Sequence, residues 1–89
     1  MKRKWPIVEV EWEDSKGWPG WTHIEDVLAE ASKACSLTQY TVGYLIRRDR
    51  RYIVVAGSQA DTESSDTANG SMQIPRSAIR SLRILRERE

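Results

Sequence analysis

The chain has no phenylalanine, one cysteine (Cys35) and one histidine (His23) among its 89 residues. Each shortage excludes something. A single cysteine forms no internal disulfide and no cysteine-based zinc centre. A single histidine removes most histidine-based metal sites. No stretch approaches the run of about 18 apolar residues that a membrane-spanning helix needs. The basic opening Met1-Lys2-Arg3-Lys4-Trp5-Pro6 is not followed by an apolar signal core. A cytoplasmic protein with no membrane partner is expected, and a lone thiol suits that reducing compartment. Glycine-rich phosphate loops, zinc signatures and nucleophile–base pairs are also missing from the sequence. The expectation is therefore a protein that is not an enzyme and carries no cofactor.

What is present is globular: 39% hydrophobic and 30% charged residues, with a net charge of +1. One domain over 1–89 is expected, with flexible ends at 1–5 and 86–89. A chain this short buries only about 60–65% of its unfolded surface. Burying a further face between copies adds to that core, so a homo-oligomer is expected. The near-neutral total excludes a uniformly basic coat for nucleic acid. The charge is nevertheless uneven, because nine arginines lie after residue 46 and seven of the 13 acids lie before residue 31.

Residues 7–13 alternate, with Val8, Val10 and Trp12 on one face and Ile7, Glu9, Glu11 and Glu13 on the other. That period predicts a half-buried strand whose acids face solvent. Residues 14–20 read as a loop. Thr22-His23-Ile24-Glu25 forms a capping box, and Ile24, Val27, Leu28 and Ala31 follow as an apolar stripe. A helix is expected from Thr22 to near Ala34. Strands over 40–46 and 51–56 flank a polar turn and predict a hairpin, with Gly43 and Gly57 as bends. Tyr40, Tyr44 and Tyr52 supply cross-strand pairs. Residues 58–71 lack large apolar side chains and read as a long mobile loop, with a turn signal at Asn69-Gly70. A short strand over 72–74 precedes a break at 75–77. Beyond it the pattern allows a helical stripe (Ala78, Ile79, Leu82, Leu85), or one turn and a final strand over 80–85 with Leu82 and Ile84 inward.

The fold class is α+β: a small, strongly bent antiparallel sheet or open SH3-like or Sm-like barrel of about five strands, with one helix after the first strand. Ile74-Pro75-Arg76-Ser77-Ala78-Ile79 resembles the tight turn joining the last two strands of bacterial Sm-like RNA chaperones. That resemblance implies a small barrel and RNA as a partner. A wider set of residues is similar to small proteins common in tailed-phage genomes: Trp12-Glu13-Asp14-Ser15, Gly17, Trp18, Val42-Gly43-Tyr44-Leu45, Ile74-Pro75 and Ile79. It implies a phage or prophage origin and assigns no chemistry to single residues. Several small phage proteins sequester nucleotide signals of bacterial immunity, an analogy of class.

Two constellations could carry binding. Trp18 and Trp21 flank Pro19-Gly20 at the mouth of the helix, a platform on which a base could stack. The helix N-terminus beside them offers N–H groups to a phosphate, which Glu25 and Asp26 oppose. The alternative is that both rings lid the core. Arg47, Arg48, Arg50 and Arg51 crowd one turn, and Arg76, Arg80, Arg83, Arg86 and Arg88 crowd the C-terminus. A guanidinium fork matches phosphate; a solvated face, or pairing of basic and acidic surfaces between subunits, is the plainer reading. His23 and Cys35 lack partners for catalysis. The expected ligand-binding set is Trp18, Trp21, Arg47, Arg48, Arg50, Arg76 and Arg80. The expected function is non-enzymatic sequestration of a nucleotide or other phosphate-bearing small ligand in an oligomer pocket. Sm-like binding of RNA and a structural or adaptor role in the virion are the alternatives.

Overall fold

The alternation over 7–13 becomes a strand in which Val8 and Val10 are fully buried while Glu9 and Glu11 stay half-exposed. The computed structural model describes residues 5–31, 37–61 and 65–87. Their elements are β1 (Ile7–Glu13), α1 (Ile24–Ala31), β2 (Thr38–Arg48), β3 (Tyr52–Asp61), β4 (Asp66–Pro75), a one-turn 3₁₀ helix (Arg76–Ala78) and β5 (Ile79–Arg86). The strands form one antiparallel sheet in the order β4-β3-β2-β1-β5. This is a small, β-rich α+β fold.

The sheet must curl. Its edge strands β4 and β5 are joined by the three residues of the 3₁₀ helix alone, a span of roughly 6 Å at about 2 Å per residue. The edges do not pair with each other, so the sheet is not closed. β2 makes the bend. Thr38 to Tyr44 pairs with β1, whereas Tyr44 to Arg48 pairs with β3 across a register shift between Leu45 and Arg47. Gly43 lies at the changeover. A Cβ there would sit 2.5 Å from the Ala56 carbonyl oxygen, so only hydrogen fits.

The curl gathers one apolar cluster: Val8, Val10, Leu45, Ile53, Val55 and Ile74, with Trp12, Ile79 and Leu82 packed on it. Each fully buried aliphatic side chain contributes about 1.5–3 kcal/mol. The Trp12 indole N–H donates to Thr41 Oγ1 at 2.9 Å, so this large ring leaves no donor unsatisfied.

Several expectations change. Residues 58–61 and 66–71 are strand, not loop: β3 continues to Asp61 and pairs with β4 from Ser58↔Asn69 to Asp61↔Asp66, and residues 62–64 lie outside the described residues. Backbone pairing extends this hairpin, joined by a Thr67 hydroxyl that donates to the Ala60 carbonyl at 3.2 Å, and Asn69-Gly70 lies inside β4, with Gly70 at φ +67°. The C-terminal alternatives resolve to the single turn and a final strand, with Leu82 packed on the core but Ile84 exposed rather than inward, and Arg86 belongs to β5, opposite Ile7. The helix starts at Ile24, later than the capping box implied. Its first hydrogen bond runs from Val27 N–H to the His23 carbonyl at 3.1 Å, and none of its residues is buried. The expected helical residues 32–34, together with Cys35, Glu63, Arg88 and the basic residues 2–4, lie outside the described residues.

Gly43→Ala forces a methyl group into the Ala56 carbonyl. Chemical denaturation should show a loss of about 1–3 kcal/mol. Gly17 has open space within 4 Å of the position that a Cβ would take, so Gly17→Ala should leave stability nearly unchanged.

Candidate anion-binding site

The hairpin joining β2 to β3 is built around one acid. Asp49 Oδ1 accepts the backbone N–H groups of Arg51 at 2.8 Å and Tyr52 at 2.9 Å. Its own N–H donates to the Tyr52 carbonyl at 3.0 Å. This is the local bonding for which aspartate is favoured in turns. Asp49 Oδ2 also pairs with Arg47 Nε at 3.0 Å. These contacts hold the Asp49 carboxyl below the ordinary carboxylate range, chiefly through the Tyr52 N–H and then the Arg51 N–H.

The 3₁₀ helix adds a fifth arginine. Arg76 N–H donates to the Arg51 carbonyl at 2.8 Å, and Arg76 Nη1 reaches the Asp49 carbonyl at 3.4 Å. Five arginines therefore surround one aspartate. Among the described residues, Arg48, Arg50 and Arg51 make no ion pair.

Two open grooves flank the turn. The first, of about 620 Å³, is lined by Arg47, Arg50 and Arg51, by Asp49 and Gln73, and by Tyr52 and Val54. The second, of about 520 Å³, is lined only by Arg48, Asp49, Arg50 and Arg76. Planar guanidinium forks on a fixed turn can take a phosphate or carboxylate in bidentate fashion.

The structure thus brings Arg47, Arg48, Arg50 and Arg76 together. It does not bring the other expected residues to them within one chain. Arg80 is engaged by the Glu13 carboxylate, which holds its guanidinium more firmly protonated. Trp18 is half-buried under the Lys16 ammonium, 5.5 Å from the ring centroid. It lines a small cleft of about 210 Å³ with Glu13, Asp14 and Glu30, a set that repels anions. Trp21 is fully exposed in the loop before α1. No hydrogen bond or ion pair among the described residues joins either tryptophan to the arginine turn.

Sequence reasoning missed Asp49 as the organiser and Gln73 as a lining residue. The signal for Asp49 was present, since an aspartate opening a short turn between arginines is the expected Asx position. Nothing local marked Gln73, which reaches the groove only through the β3–β4 register, Val54↔Gln73.

Among the described residues no group of three or more His, Cys, Asp or Glu side chains is placed to hold a metal ion. No described helix is long and apolar enough to cross a membrane. No protein-family model matches the chain, and no curated protein or solved structure matches it.

Because the Asp49 carboxyl is depressed in the fold, its stabilising contribution is present above the ordinary carboxylate pKa. It is lost as pH falls through the lower folded value. Thermal melts of the wild type should therefore decline in acid. Asp49→Asn should melt lower at neutral pH and show a shallower acid slope.

Proposed function

We propose that this protein is a non-enzymatic binding protein that captures a phosphate-bearing small ligand of the nucleotide class at the arginine turn. One observation carries the reading: among the described residues Arg48 and Arg50 make no ion pair, and they line, with Arg76 and with an Asp49 already engaged by Arg47 and two backbone N–H groups, a groove that holds no apolar side chain. An isolated cluster of like charges is costly to hold together, and an oxyanion relieves it. The exposed Trp21 ring offers the stacking surface a base needs, and it reaches the turn from another copy. The capture is therefore a property of a homo-oligomer.

The strand order and the joining of both edges through a 3₁₀ turn support an open SH3-like or Sm-like barrel. The unpaired edges β4 and β5 support assembly between copies. The residues shared with small tailed-phage proteins sit at the structural pivots. Trp12 to Ser15 end β1, Val42 to Leu45 span the bend, and Pro75 and Ile79 bracket the 3₁₀ turn. That placement supports a phage origin and action in a host cytoplasm, by sequestration of a nucleotide signal. RNA is the second reading, favoured by the same open edges and basic turn.

Calorimetric titration with cyclic dinucleotides and ADP-ribose derivatives tests the first reading. Arg48→Ala and Arg50→Ala should each weaken binding by about tenfold, while Arg83→Ala, whose residue pairs with Glu9, should not. Absence of any nucleotide binding, with salt-dependent retention of short RNA, would favour the second reading.

A further inference from the structure

The helix α1 is left uncovered by its own chain. Ile24 and Leu28 lie four residues apart on one face of α1, exposed to 76% and 64%, and Trp21 in the loop before the helix is fully exposed. None of the eight residues of α1 is buried. A helix this short is marginal in water unless an apolar face is packed. Glu25 borders that face, Asp26 lies on the opposite one, and the arm as a whole is acidic. Residues 14–31 hold Asp14, Glu25, Asp26 and Glu30 against the single Lys16. Among the described residues, Glu25 and Asp26 make no ion pair.

The complementary surface is on the same chain. The groove lined by Arg47, Arg50 and Arg51 also includes Tyr52 and Val54, with Asp49 and Gln73, and Tyr52 is 37% exposed. It offers apolar area among side chains of net positive charge, a match for the apolar face of a net acidic arm. The arm, residues 14–31, and this groove lie at opposite ends of β2 in sequence, and no described contact joins them.

We propose that the occupant of this groove is the arm of a second copy, so that in a two-fold pair each chain gives one arm and takes one. Ile24 and Leu28 cover the partner's Tyr52 and Val54, and Glu25, at the edge of the same helix face, meets the partner's Arg51. The interface is isologous, as two-fold contacts require. It leaves the groove of Arg48, Asp49, Arg50 and Arg76 open to a phosphate. Trp21, in the loop ahead of Ile24, then lies at its rim. Glu25, which would repel a phosphate at the helix N-terminus, acquires a role in docking. This pairing deepens the capture proposed above and rests on its oligomeric part, but not on the ligand.

Sedimentation analysis of the full chain without nucleotide tests it. The wild type should run as a two-chain species whose association weakens with salt. Ile24→Asp with Leu28→Asp should weaken association by about 100-fold or more and leave the sheet's thermal transition in place. Glu25→Arg alone and Arg51→Glu alone should each weaken it, and mixing the two should restore a mixed pair. A wild type of one-chain mass overturns the proposal. So does an unchanged mass for the Ile24/Leu28 variant, or a failure of the mixture to recover. Because no nucleotide is present, a stable pair that binds no nucleotide would refute the capture reading and keep this one.

Discussion

The approach of the Gly43 backbone to the Ala56 carbonyl governs the architecture. At that point β2 stops pairing with β1 and starts pairing with β3, and Tyr44 has partners on both sides. Any side chain at position 43 would push β3 away by its Cβ alone. If the strands separated there, the sheet would flatten. The three-residue 3₁₀ turn would then no longer reach from β4 to β5. The core depends on the same contact, because Val8 and Val10 from one half meet Ile53, Val55 and Ile74 from the other only if the sheet curls. A small domain without phenylalanine builds its interior from branched aliphatics on facing strands, and these fill space only when the strands are brought over one another.

The same bend arranges the candidate site. β2 continues past Gly43 to Arg48, and Asp49 then closes the turn with its two backbone acceptor contacts. The 3₁₀ turn that joins the sheet's edges brings Arg76 onto the Asp49 and Arg51 carbonyls. The device that curls the sheet is thus also the device that completes the arginine cluster. An arginine 25 residues from its nearest neighbour in the cluster cannot be placed there by local pattern. It arrives because β4 pairs with β3 in a fixed register, Tyr52↔Pro75.

This separates what was legible from what was not. Strand β1 was readable residue by residue, because one buried face imposes strict alternation on it. Gly43 as a bend was readable, since glycine inside a strand of branched residues marks close approach. Residues 58–61 and 66–71 were not, because both faces of that hairpin are polar and its strands are held by backbone bonds that leave no side-chain period. The helix starts later than its signals imply. Its capping chemistry and apolar stripe are real sequence features, yet the stripe says only that a face wants covering and not what covers it. The arginine turn was legible as charge, while its organiser Asp49 was hidden among the larger number of cations around it. Arg80 looks equivalent to Arg76 in sequence, and the register instead sets it against Glu13.

The net charge of +1 conceals the feature that matters most for function. Opposite charges gathered on separate elements of one small chain have two outcomes: they meet within the chain, or they remain open to another molecule. In the sheet they meet, as Glu13 with Arg80 and Glu9 with Arg83. At the arm and at the turn they meet only in part: Lys16 pairs with Glu30 and Arg47 with Asp49, while among the described residues Glu25, Asp26, Arg48, Arg50 and Arg51 make no ion pair, and exposed Ile24, Leu28 and Tyr52 accompany them. Surface ion pairs alone contribute little, because solvent screens them. Charge complementarity bordering a desolvated apolar contact is different, since it selects the partner and the register while burial supplies the affinity. Both ingredients occur at two places on this chain, at the arm and at the turn, and the proposed pairing and oxyanion capture rest on that coincidence.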